Sequence, residues 1–219
     1  MSDINTPKDV LELAKAKGAV MADLRFIDLP GVWQHTSVPI HRLEESSFED
    51  GFGFDGSSIR GYQPINASDM LIIPDASTAK MDPFTQHPTL VLTCDIVDPI
   101  TREPYARDPR YVARKAAAYL KQTGIADTAY FGPEAEFFVF DDVRFKVAMN
   151  ETSVVLDDME GPYNSNKAYE GGNPAHRPAV KGGYFPVAPV DHGQDLRSEM
   201  LTTIREMGVK TEKHHHEVA

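Results

Sequence analysis

The chain has 219 residues, 41% hydrophobic and 25% charged, with a formal net charge of -11, a globular composition with room for one large domain or two modest ones. The acidic balance disfavours non-specific attraction to nucleic acid or an anionic membrane, and the single cysteine, Cys94, excludes an internal disulfide framework and a thiolate metal cluster. No run of about 18 apolar residues occurs, and Met1-Ser2-Asp3-Ile4-Asn5 has neither a basic n-region nor an apolar h-region, so a cytoplasmic protein is expected.

Thr6 before Pro7, with Val10, Leu11 and Ala14 at helical spacing and Gly18 beyond, predicts a capped helix over 7–17. The period then changes to two. Val20, Ala22, Leu24 and Phe26 alternate with Met21, Asp23 and Arg25, Pro30-Gly31 turns the chain, and 32–38 returns as a second strand. Residues 51–61 are glycine-rich and read as a loop without regular structure. Two further strands are expected at 70–73 and 89–97, apolar β-branched runs bounded by Pro74 and Pro99. A break rich in proline and charge at 98–108 separates an N-terminal domain, 1–105, from a second domain, 106–219. Asp108 and Pro109 then open a helix with Tyr111, Val112, Ala116 and Leu120 on its apolar face, closed by Gly124.

The run 130–140 places two carboxylates in an aromatic, apolar stretch. As a strand it points Glu134, Glu136 and Phe138 to one side. Two readings follow. Either the acids share a buried cavity and require a cation, because an ionised carboxylate leaves water only when paired or coordinated, or they line the wet face of an edge strand. A partner strand is expected at 143–149, a long polar loop over 150–178, a helix over 195–207 with Leu196, Met200, Ile204 and Met207 in phase, and a last strand over 209–218.

In that last strand Thr211, Lys213, His215 and Glu217 share one face, and Glu212, His214, His216 and Val218 the other. Three consecutive histidines cannot all reach one ion from a strand, so the triplet is assigned to packing and hydrogen bonding, not to metal. Glu217 joining Glu134 and Glu136 would make an oxygen-rich site suited to Mg2+ or Mn2+.

Asp55-Gly56-Ser57-Ser58-Ile59-Arg60-Gly61, Phe131-Gly132-Pro133-Glu134-Ala135-Glu136-Phe137, Asn173-Pro174-Ala175-His176-Arg177-Pro178 with Lys181-Gly182-Gly183-Tyr184-Phe185, and His214-His215-His216-Glu217-Val218-Ala219 occur in the order of the glutamine synthetase signatures. Over essentially its whole length the sequence resembles the bacterial type I branch of that family. The resemblance implies an α+β fold, with a β-grasp-like N-terminal domain followed by the first part of a catalytic α/β domain built on an antiparallel sheet.

It also implies ATP-dependent ligation of ammonia to L-glutamate through a γ-glutamyl phosphate. By the same resemblance Glu136 and Glu217 hold one divalent ion and Glu134 a second, nearer the ATP phosphates. Glu212 contacts the nucleotide, although in a regular strand it faces away from Glu217 and a bulge is needed. Asp55 and Ser58 lie in the loop that completes a neighbouring subunit's site, Asp55 binding and deprotonating ammonium, and the subunits form a homo-oligomeric ring, a dodecamer. By residue type alone Asp55 and Ser58 are equally Asx-turn and Ser-turn formers. The family's chain is roughly double this length, so the sequence corresponds to its N-terminal half. The remaining ligands and any adenylylated tyrosine then lie downstream, and the 219-residue chain is expected to be inactive alone. Two alternatives stay open: a related γ-glutamyl amine ligase, and a non-catalytic fragment that binds metal or co-assembles with complete subunits.

Overall fold

The computed structural model describes residues 4–161 and 176–218 and contains two compact units, Met1–Phe131 and Gly132–Ala219. The first opens with α1, Pro7–Ala16, whose cap is a reciprocal box: the Thr6 hydroxyl accepts from the Asp9 amide while the Asp9 carboxylate accepts from the Thr6 amide. Strands β1 (Met21–Ile27) and β2 (Trp33–Pro39) form an antiparallel hairpin in register from Met21↔Pro39 to Ile27↔Trp33. A short helix α2 (Ser47–Asp50) precedes β3 (Phe52–Asp55), β4 (Asp69–Pro74), β5 (Lys80–Met81) and β6 (Thr89–Val97).

The sheet runs β2-β1-β6-β4-β3, with β5 also paired to β6. Only β1 and β6 are parallel among the registered pairs. Alternation in β6 turns Leu90, Leu92, Cys94 and Ile96 into the core, where they meet Leu24 and Phe26 of β1 and Met70 and Ile72 of β4. Val10 and Ala14 from α1 join the same core.

The glycine-rich stretch departs from the loop expected there. Phe52 to Asp55 pairs with β4 from Phe52↔Ile72 to Asp55↔Asp69. Phe52 and Phe54 are the reason: spaced by two, both pack against the core, with the Phe54 ring 5.1 Å from Phe26. Gly51 makes the entry possible. Its φ is +77°, and a Cβ there would stand 2.8 Å from the Ile72 carbonyl oxygen.

Helix α3, Pro109–Gln122, starts on Asp108, which is 1% exposed. One carboxylate oxygen accepts from the Arg110 amide at 2.9 Å and the other from the Ile96 amide of β6 at 3.2 Å. Arg110 and Arg114 on α3 pair with Asp75 and Asp95 beside the sheet.

In the second unit β7 (Asp142–Ala148) and β8 (Glu151–Asp157) make an antiparallel hairpin, and α4 spans Gln194–Glu206. The first part of the long loop expected over 150–178 is therefore strand. Thr152, Val154 and Val155 are β-formers that pair with β7, and residues 162–175, including the Asn173-Pro174-Ala175 part of the third signature, lie outside the described residues. Val143, Phe145, Val147 and Val154 leave an apolar hairpin face exposed.

Two expected strands are not formed. Residues 128–140 carry no regular structure, and the hairpin partner of 143–149 is β8, not the Glu134 run. Residues 209–218 likewise carry no assigned strand. An extended backbone becomes a strand only when its amides and carbonyls meet a ladder partner, and among the described residues none is registered against 130–140. The α+β class stands. No helix among the described residues is long and apolar enough to cross a membrane.

Candidate metal centre

Glu134, His215 and Glu217 come together from two distant segments of the second unit. One ligand atom from each lies within 4.8 Å of the other two. His215 and Glu217 are two residues apart, the spacing that turns side chains to one side of an extended chain, and His215 Nδ1 is 3.4 Å from Glu217 Oε1. The other Glu217 oxygen accepts from the Val218 amide at 3.0 Å. The His215 ring is held edge-on by Phe185 and Tyr184, centroids 4.5 and 5.4 Å away, which are themselves stacked at 4.2 Å. These aromatic neighbours restrict the imidazole before any ion arrives.

The three histidines divide their work by parity. His214 turns to α4, where its Nδ1 accepts from Arg197 Nε at 3.2 Å, leaving the proton on Nε2 to face the Ser198 hydroxyl at 3.0 Å. Arg197 is anchored in turn by an ion pair with the buried Asp191. His216 turns the same way and meets Glu160, 2.8 Å from its Nε2, and the Gly183 carbonyl, 2.8 Å from its Nδ1. Burial pushes the Glu160 carboxyl up, but hydrogen bonds from His192 and His216 outweigh it and hold that group below its ordinary value. For His216, burial favours the neutral ring, yet the Glu160 carboxylate and nearby carbonyls raise it overall. Packing and hydrogen bonding thus account for His214 and His216. His215 is different: it stands with Glu134 and Glu217 in a group able to hold a metal ion, a grouping that reading the triplet as a unit passes over, although its place on the Glu217 face is legible in the sequence.

Glu136 and Glu212 are both exposed, and neither belongs to this three-residue group. Glu134 is exposed as well, as are Phe131 and Phe138, so the aromatic run does not bury its acids within this chain. In the first unit, Asp55 and Ser58 form a turn. One Asp55 oxygen accepts from the Ser57 amide at 2.8 Å and its hydroxyl at 2.6 Å, and the other from the Ser58 hydroxyl at 3.3 Å. The Ser57 hydroxyl and amide hold the exposed Asp55 carboxyl below its usual range, so it is ionised at neutral pH.

Two carboxylates and one imidazole are a donor set that fits a divalent cation. A nitrogen donor favours Mn2+ over Mg2+, since Mg2+ prefers oxygen ligands throughout.

Two family models match the chain: glutamine synthetase, beta-Grasp domain, over residues 18–99, and glutamine synthetase, catalytic domain, over 106–219. The glutamine synthetase of Methylococcus capsulatus (strain Bath) is 58% identical over 98% of this chain and 46% of its own length. That of Escherichia coli (strain K12) is 53% identical over 96% of this chain and 45% of its own. The chain spans about half the length of the curated relatives it matches. In fold it resembles a Plasmodium falciparum glutamine synthetase solved by cryo-EM, with a TM-score of 0.83, covering 98% of this chain and 42% of the other at 23% identity.

Proposed function

Because the chain belongs to the glutamine synthetase family, we propose that it supplies part of a site joining ammonia to L-glutamate with ATP, through a γ-glutamyl phosphate. The observation that carries this reading is the convergence of Glu134, His215 and Glu217. Phosphoryl transfer between two anionic substrates demands positioning and charge neutralisation more than covalent chemistry from the protein. A divalent ion, when bound, polarises phosphate oxygens and offsets their charge.

Glu134, His215 and Glu217 are the proposed donors. Glu136, two residues beyond Glu134, is proposed to share a second ion with Glu217, and Glu212 to contact the nucleotide. Support for both is their position within the one span, residues 106–219, that matches the glutamine synthetase catalytic domain. Asp55, exposed and ionised on its capped turn, has the charge to attract ammonium; that it also takes the ammonium proton is part of the proposal and rests on its place in the signature 55–61. Its role in a neighbouring subunit's site, and with it ring assembly, is part of the proposal.

The test is a Mn2+ titration of the 219-residue chain followed by electron paramagnetic resonance. Glu134→Ala, His215→Ala and Glu217→Ala should each weaken binding by more than about tenfold, the low end of what losing even an outer-shell partner costs. Unchanged affinity in all three would overturn the metal-site reading. ATP- and glutamate-dependent phosphate release is expected from a full-length protein and not from this chain, whose described residues bring together three donors. Sustained release by the chain alone would overturn that part.

A further inference from the structure

Glu160 follows β8 and is remote in sequence from every proposed ligand, yet its carboxylate is built into the main chain beside Glu217. One oxygen accepts from the His192 amide and lies 3.1 Å from His192 Nδ1, and the other is 2.8 Å from His216 Nε2. On its far side the His216 ring reaches two carbonyl oxygens from Nδ1, those of Gly183 and of Glu217 itself, each at 2.8 Å. Both ring nitrogens therefore face oxygen atoms of fixed neighbours.

The chain at Gly183 packs closely against this ring. A Cβ on Gly183 would stand 2.5 Å from the Glu217 carbonyl oxygen and 3.0 Å from the His216 ring. The same two segments are braced by the Gly183 amide on the Val218 carbonyl and the Phe185 amide on the His216 carbonyl, both at 3.3 Å. Through the ring, Glu160 thus constrains the peptide that carries a proposed ligand. A carboxylate–imidazole pair with about a tenth to a fifth of each side chain exposed is a weak choice for stability alone, because its desolvation opposes its attraction.

We infer that Glu160 is a positioning residue for the metal centre, fixing the Glu217 main chain through His216. The inference rests on the metal-site reading above. It acts as an outer carboxylate does behind a ligating histidine, except that the object held is backbone instead of a ligand ring.

Mn2+ binding is the readout, measured on the 219-residue chain at temperatures where near-ultraviolet circular dichroism confirms each variant is folded. Glu160→Ala should weaken Mn2+ binding about 10–100-fold, the loss typical of outer-shell partners. Glu160→Gln, which keeps one acceptor, should recover part of it. His216→Asn retains a donor toward the carbonyls but cannot reach Glu160, so it should match Glu160→Ala, and the double variant should lose little more because the two act in one chain of contacts.

If Glu160→Ala does not fold, Glu160→Gln carries the test, with a several-fold loss expected. Wild-type affinity in the folded Glu160 variants, while Glu217→Ala loses the ion, would overturn the inference and leave the metal site standing. Strict additivity in the double variant would also overturn it. Wild-type affinity in Glu217→Ala and Glu134→Ala as well would instead remove the site itself.

Discussion

Replacing Asp108 should cost more than an ordinary helix cap, because its two oxygens serve two different elements. One caps α3 through the Arg110 amide, and the other satisfies the Ile96 amide in β6, where the residue is 0% exposed. Losing an N-cap costs about 0.5–2 kcal/mol. Leaving a buried amide without an acceptor costs about 1–3 kcal/mol more. Asp108→Ala should therefore destabilise the first unit by about 2–4 kcal/mol, and Asp108→Ser, which keeps a capping oxygen but not the reach to Ile96, by about 1–3 kcal/mol. Trp33, the single tryptophan, lies on β2 of the same unit. Urea unfolding followed by its fluorescence reports the relevant transition. Two outcomes would refute the reasoning: an alanine variant within about 0.5 kcal/mol of wild type, the range of a featureless surface change, or a serine variant no more stable than alanine.

Asp23 should govern part of the acid limb of stability. Burial raises its carboxyl, but hydrogen bonds from Ser37, His35 and Arg25 prevail and hold it below the usual range. A depressed acid contributes stability that is present above its unfolded value, about 3.9, and lost as pH falls through the folded one. The stability gap between wild type and Asp23→Asn, about 2 kcal/mol at neutral pH, should close between pH 5 and pH 2 on the scale expected for such linkage; a gap that widens on acidification would contradict this. Gly51→Ala forces a left-handed residue and drives its Cβ against the immobile Ile72 carbonyl, so a loss of about 2–4 kcal/mol in urea unfolding is expected. A loss below about 0.5 kcal/mol would show that β3 tolerates another entry.

Where local chemistry decides an element, the sequence was a sufficient guide. The Thr6-Pro7 and Asp108-Pro109 starts carry α1 and α3, the two-residue alternation gives β1, the apolar β-branched run before Pro99 gives β6, and Leu196, Met200 and Ile204 place α4. Strand β3 was hidden because glycines at 51, 53 and 56 outweigh two phenylalanines by composition, while the core responds to the spacing of Phe52 and Phe54. The Glu134 run failed for the opposite reason: its alternation is genuine, but a strand is a relation between two segments and the pattern of one cannot supply the other. At the candidate centre, parity brought Glu217 and His215 to one side, as read from the chain. What parity could not reveal is which of the acids in 130–140 would reach them. Glu134 does, and Glu136 does not join that group.

The order β2-β1-β6-β4-β3 has a consequence in time. β6 is the last strand of its sheet to be synthesised and stands in the middle of it. Until it arrives, the β1–β2 and β3–β4 hairpins have no strand between them, and the parallel pairing of Met21 with Thr89 must close a long loop before any contact rewards it. Substitutions that weaken Leu90 or Leu92 should accordingly slow folding as much as they hasten unfolding, whereas changes in the β1–β2 turn leave the rate-limiting closure alone. During synthesis the apolar faces of β1 and β4 lack the strand that pairs with both until residue 97 has emerged.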